Sequence, residues 1–103
     1  MIERVVLAKL KSEFCSDEGR RELASISEST LSALPDVRSC QVGLPADEAS
    51  LASWDLMIRL RFDDLDAVER YRVHPEHQRY LDEDLGPRAE VKKVWNFEVR
   101  GEG

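Results

Sequence analysis

From Trp54 to Phe62 the chain alternates without a slip. Trp54, Leu56, Ile58, Leu60 and Phe62 are apolar, and the intervening Asp55, Met57, Arg59 and Arg61 are mostly polar. A period of two belongs to an extended strand with one buried face, so this chain must build a sheet around it. The N-terminal run Met1 to Lys11 adds a second constraint. It places Val5 and Leu7 on one face and Val6, Ala8 and Leu10 on the other, as in a central strand covered on both sides.

The remaining segments fall between these strands. Ser16 followed by Asp17 and Glu18 reads as a cap with acids in the first turn, and Leu23, Ile26, Leu31 and Leu34 then share a helical face over 17–33, before Pro35. Residues 37–44 read as a weaker strand and 45–53 as a mobile polar loop. Asp63 and Asp64 cap a short helix with Leu65, Val68 and Tyr71 on one side. The ring of Pro75 pushes His74 out of helical conformation and suits the first position of a new helix, which carries Tyr80 and Leu81 and stops at Gly86-Pro87. A last strand runs over 91–100. The predicted fold is α+β: a ferredoxin-like βαββαβ unit with an antiparallel four-stranded sheet and both helices on one face. Val5, Leu7, Met57 and either Trp95 or Phe97 would then lie on a naked face, which a second copy would cover as a homodimer.

Length and composition set the outer limits. One hundred and three residues suffice for one core, so 1–103 reads as a single domain. The longest apolar run, Val5 to Ala8, is far short of the roughly 20 residues of a spanning helix, and no signal-peptide stretch follows Arg4, so the expected location is cytoplasmic with no membrane partner. Fifteen Lys plus Arg against 21 Asp plus Glu give a net charge of -6, and with no basic block nucleic acid is excluded as a partner. Cys15 and Cys40 lack a CxxC or a nearby His, so no metal site is read and both are expected as free thiols. The acids Asp82 to Asp84 read as a solvated helix end.

The segment Tyr71-Arg72-Val73-His74-Pro75-Glu76-His77 resembles the Y-x-x-H-P-x-H signature of the stress-responsive A/B barrel (Dabb) family. The RVVLAKLK start, the RFDDLDAVERY lead-in, the ALPDVRSCQVG phrase and the closing VWNFEV extend the resemblance over nearly the whole chain. The resemblance implies a homodimer whose two sheets face each other as a dimeric α+β barrel. Catalytic members of the family are polyketide cyclases, which close a linear polyketide by intramolecular aldol condensation between sheet and helices without a cofactor. Their working pair corresponds here to Tyr71 and His77. Three positions depart from the family pattern: Arg4 and Leu56 stand where the cyclases carry His, and Asn96 where an Asp is frequent.

Two functions from different classes follow. In the first, His77 acts as a neutral base and Tyr71 as its orienting or oxyanion-binding partner, with a small apolar or polyketide-like ligand contacted by Val6, Ala8, Ile58, Val94, Tyr80, His74 and Arg4. Arg4 suits a carboxylate or carbonyl. In the second, the chain is a non-catalytic dimeric module of unknown ligand, and each residue has a plain use. His74 satisfies loose backbone groups at the helix junction, His77 caps or faces solvent, and Tyr71 and Tyr80 pack in the core.

Overall fold

Strand β1 (Ile2–Leu10) is central, as its two apolar faces require. In the computed structural model, which describes residues 1–100, helix α1 (Asp17–Leu31) and strand β2 (Ser39–Gly43) follow it. Then come α2 (Glu48–Ser53), β3 (Leu56–Phe62), α3 (Leu65–Val73), α4 (Pro75–Tyr80), a π turn at Leu81–Leu85, α5 (Gly86–Arg88) and β4 (Ala89–Glu98). The single domain expected over 1–103 extends three residues beyond this range, and 101–103 lie outside the described residues. The sheet order is β2-β3-β1-β4 with every pairing antiparallel, the ferredoxin-like arrangement. Among the described residues no helix is long and apolar enough to cross a membrane.

Register decides what is buried. Val6 stands between Ile58 and Val94 across the sheet, so the even-numbered positions of all three strands share the helix-covered face. Ile2, Val6, Ala8 and Leu10 of β1 and Leu56, Ile58, Leu60 and Phe62 of β3 form the core with Leu23, Leu31, Val68, Tyr71 and Tyr80 of the helices. Ser16 caps α1, its hydroxyl accepting the Gly19 N–H at 3.0 Å. Tyr80 is tied to that helix by a buried 2.6 Å hydrogen bond with Ser27.

Four local expectations change. Residues 45–53 are not all loop: Asp47 accepts the Ser50 N–H at 2.8 Å and starts α2, whose six residues bury nothing and so carry no apolar period. Leu65 is 60% exposed and Ala67 takes its place beside Val68 and Tyr71, because six residues turn a helix about 120° away from Tyr71's side. Gly86-Pro87 does not stop the helical path. The wider π turn carries the Gly86 N–H to the Leu81 carbonyl, and a Cβ at 86 would lie 2.5 Å from that oxygen. Finally, Asp55 leaves the polar face. It is only 3% exposed, accepts the Leu10 N–H at 2.8 Å and pairs with Arg20 at 3.1 Å, joining α1 to the ends of β1 and β3.

Cys15 is exposed and Cys40 half-buried on β2, both as free thiols. Burial, aided by the Glu28 carboxylate, pushes the Cys40 thiol up to about 11. A thiolate-selective reagent at about pH 8 is therefore expected to label Cys15 quickly and Cys40 only after denaturation. Equal rates in the native protein would show that Cys40 is not shielded, and fewer than two thiols in denaturant would show a disulfide.

Candidate active site

The site begins with a proline. Pro75 forces His74 to an extended ψ of 134°, so α3 ends there and the Glu76 N–H turns to His74 Nδ1 at 3.1 Å. In a continuous helix that N–H would have bonded the Arg72 carbonyl. Freed, the Arg72 oxygen meets His77 Nδ1 at 3.1 Å and the Gln78 side-chain amide at 2.6 Å. A carbonyl only accepts, so in the neutral ring Nδ1 carries the proton and Nε2 keeps its lone pair. Among the described residues Nε2 has no hydrogen-bond partner.

His77 is 7% exposed. Burial holds its imidazole below the ordinary value of 6.5. The bond to Arg72 opposes that shift, and the Arg4, Lys92 and Arg72 cations reinforce it. The ring is thus neutral near pH 7, through desolvation and neighbouring charge.

Tyr71 packs against this ring in a tilted arrangement, with centroids 4.3 Å apart and planes at 44°, and it also meets Phe62 edge-on at 5.0 Å. The sequence reading expects a hydrogen bond or a bridging water between Tyr71 and His77. The side chains meet through their rings, and of those two links the direct hydrogen bond is absent. Burial raises the Tyr71 hydroxyl above the ordinary phenol range, so it stays a donor.

The two side chains border a cleft of about 220 Å³ between sheet and helices. The structure brings Arg4, Val6, Ile58, Tyr71, His77, Tyr80 and Val94 to its walls. Ala8 and His74 lie off it: Ala8 is packed in the core, and His74 caps α4. The Tyr80 hydroxyl is committed to Ser27, and burial pushes it up to about 12. Leu56 is a core residue away from this cleft. Arg4 and Asn96, two departures from the family pattern, are cross-strand neighbours, and Arg4 Nη1 donates to Asn96 Oδ1 at 3.0 Å. Sequence reasoning missed Leu81 and Leu85, which the π turn presents to the cleft, and Lys92, whose shared parity with Val94 on β4 was the available signal. Among the described residues no group of three His, Cys, Asp or Glu could hold a metal ion.

Solved structures share this architecture. A Dabb protein with a ferredoxin-like fold from Mesorhizobium loti superposes with a TM-score of 0.80 at 21% identity, over 97% of each chain. A dimeric ferredoxin-like protein of unknown function from Bacteroides fragilis gives 0.75 at 25% identity, over 95% of each. The hydroxynitrile lyase of Passiflora edulis gives 0.79 at 13% identity, over 99% of this chain and 95% of that one. No curated protein matches the sequence. The sequence profile of the Stress responsive A/B Barrel Domain matches residues 2–99, and the chain therefore belongs to the Dabb family.

Proposed function

We propose that this protein is a homodimeric, cofactor-independent enzyme that moves a proton at carbon, in the manner of a polyketide cyclase or lyase. The observation that carries this reading is a buried His77 whose Nδ1 meets the Arg72 carbonyl oxygen at 3.1 Å beside an open cleft, which leaves Nε2 as the basic nitrogen. Nε2 removes a proton from a carbon next to a carbonyl, and the C–H electron pair becomes the enolate. The Tyr71 hydroxyl donates to the developing enolate oxygen. In a cyclisation the enolate carbon then attacks a second carbonyl of the same molecule, and the imidazolium returns its proton to the new alkoxide. With phenylpyruvate in D2O, the protein is expected to accelerate deuterium entry at the methylene. A rate equal to that of buffer, or one unchanged in His77→Ala, overturns the reading.

The dimer is supported by the sheet face that α1, α3 and α4 leave bare. Trp95 and Phe97 are 47% and 55% exposed there, and Leu7 and Met57 line an apolar groove of about 560 Å³ on the same side. Light scattering at micromolar concentration is expected to give the dimer mass. Leu7→Glu would place an unpaired carboxylate in the interface and is expected to dissociate or unfold the protein. A dimer of unchanged stability would show that Leu7 faces elsewhere.

A further inference from the structure

The cleft sorts charge in a way the whole chain does not. Acids outnumber bases 21 to 15 in the sequence, yet the cleft walls hold Arg4, Arg72 and Lys92 and no Asp or Glu. Arg72 is already neutralised by Glu69, whose two carboxylate oxygens accept from it at 2.9 and 2.7 Å. Arg4 and Lys92 have no carboxylate at ion-pair distance among the described residues.

Arg4 is placed at some expense. The helix-facing positions of β1 are Ile2, Arg4, Val6, Ala8 and Leu10, so one guanidinium interrupts an otherwise apolar row. Its partner Asn96 is neutral: it holds Nη1 at 3.0 Å and leaves the charge uncompensated. Lys92 lies on the same sheet face, opposite Ala8 on β4. Desolvation lowers both cations' pKa; at Lys92 the Arg4 charge adds to it, and at Arg4 the Arg72 charge adds to it while Tyr71 and Glu69 oppose it. Two cations without a carboxylate partner thus border an apolar floor of Val6, Ile58 and Val94, where an anion would offset both charges.

We infer that the cleft takes a small organic anion, its acidic group held by Arg4 and Lys92 and its apolar body lying on Val6, Ile58 and Val94 toward His77. This rests on the cleft being the functional site and names the substrate class for it. Arg4 offers a forked donor with Nη2 and Nε left for a carboxylate or phosphate oxygen, while Lys92 adds a point charge.

The test is direct binding by calorimetry, with benzoate, its neutral isostere benzamide and phenyl phosphate as probes. Benzoate or phenyl phosphate is expected to bind about ten- to a hundred-fold more tightly than benzamide, as a charge-assisted contact provides. The tighter of the two anions identifies the acidic group. Arg4→Gln and Lys92→Gln should each remove most of that preference. Equal affinity for benzamide and both anions, or a preference unmoved in both cation variants, overturns the inference. Failure of the proton-transfer reading looks different: the anion preference is present, and deuterium exchange is not.

Discussion

His77→Ala is expected to lower kcat/KM by about a hundred- to ten-thousand-fold, the usual contribution of a positioned general base. Fold and dimer should persist with some loss of stability, because the ring's contact with Tyr71 goes but its hydrogen bond is to a backbone oxygen that Gln78 also satisfies. Tyr71→Phe keeps the packed ring and removes only the donor, so a loss of about a hundred-fold is expected, of the size seen for an oxyanion donor. The pH profile carries the same assignment. Protonation of Nε2 removes the base, and burial sets that protonation below 6.5, so activity should persist through the ordinary imidazole range and fall only at lower pH. At the alkaline end the Tyr71 hydroxyl titrates above its ordinary value of 10.0, so no limb should appear before it. An acid limb above 6.5, or a His77→Ala variant retaining a tenth or more of the activity, would remove His77 as the base.

The second large effect concerns stability and lies away from the cleft. Asp55→Ala is expected to destabilise the fold by about 3–5 kcal/mol, the range for breaking a buried pair by deleting one partner. Two groups lose their acceptor at once: the Leu10 N–H at 2.8 Å and the Arg20 guanidinium at 3.1 Å. Asp17 remains bonded to Arg20 at 2.6 Å, but it is largely exposed and cannot replace the buried contact. Urea unfolding at one fixed protein concentration, so that any linked association is held constant, measures the change. Asp55→Asn keeps an acceptor for Leu10 and should lose less. If Asp55→Ala unfolds within about 1 kcal/mol of the parent, the pair is dispensable and α1 is held by apolar packing alone.

The strands were legible because a buried sheet face imposes a period of two, and Leu56, Ile58, Leu60 and Phe62 keep it while Val6 and Ala8 set β1 in the centre. Asp55 shows the limit of that reading. Parity says which face a side chain leaves from, and it says nothing of an orphan N–H at the end of a neighbouring strand or an Arg arriving from α1. Helix α2 was invisible for a related reason: its start is set by one carboxylate on one N–H, and it buries no residue. In the cleft, His77 and Tyr71 were read from the signature, and Arg4 from the strand-one position where it departs from the family pattern. Lys92 shares the parity of Val94 on β4 but was missed because the pocket lining on that strand was sought among apolar residues.

The partner that orients His77 has no side chain. Many catalytic histidines are held by a carboxylate, and a single codon change can delete such a partner. Here the Arg72 peptide oxygen performs that service, and it is present whatever residue occupies position 72. Substitutions at Arg72 therefore leave this hydrogen bond in place, and act on the imidazole only through the charge they remove or keep. The vulnerable position is Pro75, which acts on the imidazole through the backbone path it imposes. An N–H there would let the helix run on, and the Glu76 N–H would reclaim the oxygen. In evolutionary terms the imidazole's tautomer is inherited through the backbone, and the residue that safeguards it is the one that cannot donate a hydrogen bond.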